Sequence, residues 1–137
     1  GKIFSLQNKL QHSALEARWL ALVGTCLQEK FNSQVYKICY FASASQGSVN
    51  FGSYDRMDSS SGTQYFTGGQ KCVAGPARRL KVHLECGARE ELVDVMEPSW
   101  CSHEIRIRHP SACALADLEI AEARVNPDYI FSADSEL

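Results

Sequence analysis

Arg78, Glu97 and His103 are the residues of this chain whose types and positions could do chemistry. Each belongs to a stretch with the alternating pattern of a β-strand, and each falls in the apolar row of its stretch. A buried charge is costly unless it is paired or given a ligand. Three such groups in consecutive strands predict one polar pocket set into an apolar barrel or sandwich.

The strands predicted to carry these side chains lie at 78–86, 91–97 and 101–108. In each stretch one alternate row is mainly apolar: Leu80, Val82 and Leu84 in the first, Val93 and Val95 in the second, and Cys101, Ile105 and Ile107 in the third. Side chains of a strand alternate between its two faces. We therefore expect the three polar groups on the core-facing side, near the ends of these rows.

Other strands are predicted upstream. Two strands at 27–31 and 34–41 would form a hairpin that brings Cys26 near Cys39. Further strands are expected near 49–54 and 64–67. Loops are expected between them, over about 42–50 and 55–62, because small and polar residues dominate there.

Helical spacing of apolar residues appears at both ends of the chain, over about 5–22 and 114–124. The fold class predicted is all-β with helical segments at the two ends. The corresponding division is a helical segment 1–24, a β domain 25–113, and a C-terminal helix and tail 114–137.

Composition excludes several classes of function. The 137 residues include 14 basic and 16 acidic ones, a formal charge of −2 that gives no footprint for nucleic acid. No apolar run approaches the length that crosses a bilayer, so no membrane association is predicted. Neither a metal site nor a cofactor is indicated.

The six cysteines, at positions 26, 39, 72, 86, 101 and 113, indicate disulfides. Their even number and the absence of a Cys-x-x-Cys pair favour bridges over a zinc site. Disulfides in turn favour an oxidising compartment. The alternative is a cytosolic chain with free buried cysteines, and spacing alone leaves about 15 pairings open.

Four ordered segments between Cys26 and Cys113 are more specific than any single motif. They comprise Cys26 and Cys39 followed by Tyr40-Phe41 and Ser45-Gln46; Phe51-Gly52-Ser53-Tyr54; Cys72-Val73-Ala74-Gly75-Pro76-Ala77-Arg78; and Glu97-Pro98-Ser99 ahead of Cys101. This order resembles the mannose 6-phosphate receptor homology (MRH) domain, a flattened β-barrel lectin module. Within that family the chain is most similar to the glucosidase II beta subunits.

The resemblance implies three disulfides and a sugar site. The pairing would be Cys26–Cys39, Cys72–Cys101 and Cys86–Cys113. The mannose-binding residues would be Gln46, Arg78, Glu97 and His103. Two positions depart from the pattern: His103 replaces a tyrosine six positions after Glu97, and Val73 replaces the tryptophan that usually follows the third cysteine.

These residue types suit a hexose. Each sugar hydroxyl is both donor and acceptor, so a site needs a carboxylate, a guanidinium fork and an amide. Following the resemblance, we assign Glu97 and Arg78 to the 3- and 4-hydroxyls, Gln46 to the 2-hydroxyl, and His103 to a weaker contact. Only Glu97 is a credible pocket carboxylate, whereas glycoside hydrolysis usually needs two, so a non-catalytic chain is expected.

The partners implied are a high-mannose N-glycan and the catalytic alpha subunit of glucosidase II, in the lumen of the endoplasmic reticulum. The ending Asp134-Ser135-Glu136-Leu137 is similar to a His-Asp-Glu-Leu retrieval signal. Three alternatives stay open. Arg78 and Glu97 could form a structural ion pair; the domain could be another MRH lectin, from degradation or from a phosphotransferase gamma subunit; or it could be a disulfide-stapled scaffold for protein contacts.

Overall fold

The computed structural model describes residues 17–113, and eight strands account for most of them. The strands are β1 Cys26–Phe31, β2 Gln34–Cys39, β3 Ser43–Gln46, β4 Val49–Asp58, β5 Thr63–Gly68, β6 Arg79–Cys86, β7 Glu91–Ser99 and β8 Ser102–His109. A helical turn at 17–20 precedes β1, and a 3₁₀-helix Pro110–Ala112 follows β8. Most of the helix predicted over 5–22, and all of that over 114–124, lie outside the described residues.

One sheet contains all eight strands, in the order β1-β2-β3-β4-β5-β6-β8-β7. Every neighbouring pair is antiparallel except β6 and β8, which run parallel. The two outer strands of the sheet meet, because the backbone N–H of Leu92 in β7 donates to a carboxylate oxygen of Glu29 in β1 at 2.7 Å. The sheet is therefore a nearly closed barrel, and the predicted all-β class is confirmed.

The barrel interior is filled by the predicted apolar rows of β6 and β8. Leu80, Val82, Ile105 and Ile107 are all buried, packed against aromatic residues of the other strands. Parallel pairing sets these rows side by side, with Val82 opposite Ile105. The alternation seen in the sequence therefore identified the core-facing side of both strands.

The β7 row was predicted wrongly. The pairing of β7 with β8 shifts register between Leu92 and Asp94 and again between Met96 and Ser99. Such irregularities break the period of two. Consequently Leu92 is buried where Val93 was expected, and Glu97 has a side chain that is 47% exposed rather than core-facing.

The first hairpin is confirmed, with Asn32 and Ser33 both at positive φ, as the two-residue turns favoured in hairpins require. The loop predicted over 42–50 is wrong in part, because β3 forms there between β2 and β4. Likewise β4 continues to Asp58, past the predicted end of that strand. Polar residues form these strands because pairing with neighbours satisfies their backbone while the side chains face outward.

Three disulfides join Cys26 to Cys39, Cys72 to Cys101 and Cys86 to Cys113, the pairing that the resemblance implied. Each closes a different part of the barrel. The first lies across the β1–β2 hairpin, the second ties the segment before β6 to the β7–β8 turn, and the third ties the end of β6 to the residue after the 3₁₀-helix. Such bridges agree with an oxidising compartment.

We predict that replacing both Cys86 and Cys113 with Ser lowers the free energy of unfolding by about 2–5 kcal/mol, because the bridge closes a loop of 27 residues in sequence separation. Urea unfolding of the variant and the wild-type domain, both without reductant, measures the loss. A loss below about 1 kcal/mol would contradict the prediction.

Candidate mannose site

Arg78 lies immediately before β6, and both its backbone carbonyl and its backbone N–H are hydrogen-bonded. Its carbonyl accepts from the N–H of Gly69 at 2.9 Å, and its N–H donates to the carbonyl of Gln70 at 3.2 Å. One guanidinium nitrogen, Nη1, donates to the carbonyls of Gln70 and Lys71 at 3.0 and 3.3 Å. The loop thus fixes the direction of the guanidinium and leaves its other N–H groups available to a ligand.

No ion pair between Arg78 and Glu97 occurs in the described part of the chain. Instead a carboxylate oxygen of Glu97 lies 3.4 Å from Nδ1 of His103. The structural ion pair considered from the sequence is therefore not what holds these two residues. The Glu97 carboxylate thus lies beside the imidazole ring, and about half of the Glu97 side chain is open to solvent.

His103 is largely enclosed. Its side chain is 11% exposed, and its ring stacks on Phe51 with centroids 4.4 Å apart. Its other nitrogen, Nε2, is buried and has no hydrogen-bond partner among residues 17–113. A buried polar nitrogen without a partner costs free energy, so this atom is suited to a ligand.

Burial lowers the pKa of His103, and this effect outweighs the Glu97 carboxylate, which raises the pKa; the Arg78 guanidinium lowers it further. The ring is therefore neutral at pH 7. A carboxylate beside Nδ1 favours the tautomer with its proton on that nitrogen. Nε2 then holds a free lone pair and would accept a hydrogen bond from a hydroxyl, rather than donate one.

Gln46 lies at the end of β3 and is half-buried. Its strand partner Tyr36 has a ring 6.3 Å from that of Phe51, which in turn stacks on His103. The amide of Gln46 makes no direct contact with Arg78, Glu97 or His103 in the structure. The structure thus brings Glu97 and His103 together and places Arg78 near them, whereas Gln46 is linked to them only through the strand pairing of β3 with Tyr36.

Phe51, which stacks on His103, was not among the predicted site residues. It was visible only as part of the Phe51-Gly52-Ser53-Tyr54 segment, with no sign that His103 would lie against it. Gly52, the residue after Phe51, has φ +128°, and a Cβ there would stand 2.5 Å from the Thr67 carbonyl oxygen. Only glycine allows β4 and β5 to approach so closely at this point.

A groove of about 420 Å³ adjoins this cluster at His103. Of the four predicted residues only His103 lines it. Phe66 and Leu80 also line it although their side chains are buried, so strand backbone forms its floor. Outward side chains form its walls, among them Arg56, Tyr65, Arg79 and Lys81.

Neither a metal centre nor a membrane span is found in the described part of the chain. Residues 17–113 hold no group of three or more His, Cys, Asp or Glu side chains placed to bind a metal ion. Within the same range no helix is long and apolar enough to cross a bilayer.

The fold and its three bridges are those of an MRH domain. The crystal structure of the MRH domain of glucosidase II beta bound to mannose superimposes with a TM-score of 0.64 and 28% identity, covering 69% of this chain and 98% of that one. The MRH domain of Yos9, solved complexed with alpha3,alpha6-Man5, shares the fold with a TM-score of 0.58 and 16% identity, over 87% and 95% of the two chains.

Residues 5–135 match the family described as glucosidase II beta subunit-like protein, and the chain belongs to that family. The glucosidase 2 subunit beta of Oryza sativa subsp. indica is 33% identical over 129 residues, which is 90% of this chain and 21% of the relative. That of Schizosaccharomyces pombe is 28% identical over 94 residues, 69% of this chain and 18% of the relative.

The chain therefore spans about a fifth of the length of these curated relatives. The relatives are beta subunits, and the MRH fold is a lectin fold, which agrees with the expectation of a non-catalytic chain. Membership of the glucosidase II beta family also decides against the degradation-pathway and phosphotransferase alternatives.

We predict that His103 titrates below its ordinary value of about 6.5, because burial disfavours the charged ring. Glu97→Gln should lower this pKa further, and Arg78→Gln should raise it, since each variant removes one neighbouring charge. NMR titration of the imidazole resonances measures all three values.

His109 serves as the internal control. Burial lowers its pKa too, and the carboxylate that partly offsets this effect is that of Glu90 rather than Glu97. Its pKa should not respond to either variant. Between the pKa of His103 in the folded state and its higher pKa in the unfolded state, the unfolded state binds more protons. The contribution of this group to stability therefore falls as the pH drops below about 6.5. A His103 pKa at or above 6.5 would contradict the prediction.

Proposed function

We propose that this chain is a non-catalytic mannose-binding lectin domain of a glucosidase II beta subunit. One observation carries the proposal: the buried Nε2 of His103 has no hydrogen-bond partner among residues 17–113, while the Glu97 carboxylate lies beside the other ring nitrogen and the Arg78 guanidinium is near enough to lower the pKa of the ring. The structure bound to mannose, which shares the fold at 28% identity, supports the choice of ligand.

The three groups complement a pair of adjacent hydroxyls. The Glu97 carboxylate accepts hydrogen bonds, the free N–H groups of Arg78 donate them, and bonds to charged partners are roughly twice as strong as neutral ones. We assign these two residues to the 3- and 4-hydroxyls. The lone pair of His103 Nε2 accepts a hydrogen bond from one of the same hydroxyls, which gives this buried nitrogen a partner.

Gln46 completes the site from the other side of the aromatic cluster. Its amide can donate and accept at once, as an axial 2-hydroxyl requires. Phe51 and Tyr36 hold the intervening space apolar, which excludes water from hydrogen bonds made beside them. We assign Gln46 to the 2-hydroxyl of mannose.

The wider role follows from the family and from the size of the domain relative to whole beta subunits. The domain would hold a high-mannose N-glycan so that the catalytic alpha subunit can trim its glucose, in the lumen of the endoplasmic reticulum. Tethering raises the local concentration of the glycan without new chemistry, so a weak intrinsic affinity suffices. The three disulfides suit the oxidising lumen.

We predict that Arg78→Ala or Glu97→Ala abolishes mannose binding while the domain stays folded. Each variant removes a charged hydrogen-bonding partner and leaves hydroxyls unsatisfied, a loss of about 1.5–3 kcal/mol on an already weak affinity. NMR titration with methyl mannoside measures binding, and thermal unfolding verifies the fold.

Arg79→Ala is the matched control. Arg79 is the adjacent arginine, exposed, and its side chain donates to Ser102 on the outer face at 2.6 Å. Its loss should leave mannose affinity within about twofold. Unchanged binding in the Arg78 or Glu97 variant, or equal losses in all three, would overturn the assignment and favour a scaffold for protein contacts.

We further predict that Gln46→Ala removes the discrimination between mannose and glucose, which differ only in configuration at C2. If the amide reads the 2-hydroxyl, its removal should weaken mannose roughly tenfold and leave glucose nearly unchanged. Competition titrations with the two methyl glycosides measure the ratio. A preserved ratio would place the 2-hydroxyl elsewhere.

A further inference from the structure

Trp100 is the exposed aromatic side chain that the site described above does not use. It is 63% exposed, yet one edge of its indole is fixed. Its Nε1 lies only 2.4 Å from the point where a Cβ of Gly75 would stand, so the ring packs directly on glycine backbone. A large apolar ring held at one edge with its remainder in solvent is a ready contact surface.

The position of Trp100 follows from the disulfide beside it. Cys72 and Cys101 are bridged, so the tight 72–76 turn, in which the N–H of Gly75 donates to the carbonyl of Cys72 at 3.1 Å, lies against the β7–β8 turn. The N–H of Arg79 also donates to the carbonyl of Cys101 at 3.1 Å. Trp100 therefore contacts the turn that leads into Arg78, and stands three residues after Glu97.

The exposed apolar surface around this ring is small. Of the exposed large apolar side chains in residues 17–113, Val73 is the one that follows Cys72 across the same bridge, and it is 87% exposed. A stable protein interface buries about 800 Å² on each partner, far more than one indole and one valine offer. One face of a hexose, where C–H groups lie together, matches an indole face in size and polarity, because the face of the ring is electron-rich.

We propose that Trp100 is the stacking surface for the second hexose of the glycan whose terminal mannose occupies the site of Arg78, Glu97 and His103. This proposal rests on the proposed function and extends it from one sugar ring to two. Gly75 is the positioning residue, because the absence of its side chain lets the indole lie against the turn. Trp100 thereby makes the domain favour an oligosaccharide over free mannose.

The test compares methyl mannoside with an α-linked mannobiose in wild type, Trp100→Ala and Trp100→Phe. Trp100→Ala should lower the ratio of mannobiose affinity to mannose affinity about fivefold, a factor within the range of aromatic contacts. Trp100→Phe, which keeps an aromatic face, should restore most of the ratio. Leu20→Ala removes an exposed apolar side chain, 58% exposed, from the 17–20 turn and should leave the ratio unchanged.

Tryptophan fluorescence gives a second readout, because the sequence has only two tryptophans and Trp19 is buried. Mannobiose, but not mannose, should change the emission of wild type, and this response should vanish in Trp100→Ala. Gly75→Ala keeps the tryptophan but displaces it. This variant should lower the affinity ratio as Trp100→Ala does.

An unchanged ratio in Trp100→Ala, with mannose still bound, overturns this proposal alone. An unchanged ratio in Gly75→Ala, with the fluorescence response retained, overturns the positioning role of the glycine. Failure of the wild-type domain to bind mannose at all overturns the proposed function, and this inference with it.

Discussion

The parallel pairing of β6 with β8 is the constraint on which the site depends. Parallel strands begin at the same edge of a sheet, so Arg78, just before β6, and His103, at the start of β8, lie at the same end of the barrel. Antiparallel pairing would have placed them at opposite ends. The Cys72–Cys101 bridge then joins the segments that enter these two strands, and both sides of the site share one anchor.

His103 connects the core to the site. One face of its ring packs on Phe51 in the apolar interior, and one nitrogen lies beside the Glu97 carboxylate. The other nitrogen has no hydrogen-bond partner within residues 17–113. Burial keeps the ring neutral despite the nearby carboxylate, so the site has one negative and one positive side chain around a neutral acceptor.

The sequence predicted the features that depend on neighbouring residues in the chain and missed those that depend on contacts between distant strands. Alternation in β6 and β8 is a property of each strand, and it correctly placed Leu80, Val82 and Ile105 in the core. Glu97 was misplaced because the irregular pairing of β7 depends on β8 and leaves no mark in the alternation. β3 was missed for a similar reason, since its small and polar residues form a strand only because β2 and β4 lie on either side. The contact of Phe51 with His103 joins residues 52 positions apart, and no local pattern encodes it. The disulfide pairing came from the likeness to a family, not from the spacing of the cysteines.

The side-chain closure between Glu29 and Leu92 has a consequence for how the domain behaves at high concentration. An open sheet ends in two rows of backbone groups that can recruit a strand from another molecule. Here the two terminal strands face one another, and a carboxylate occupies an N–H of β7 that would otherwise be free to pair. Each edge thus shields the other from edge-to-edge pairing with a second molecule, which disfavours fibre formation at high concentration.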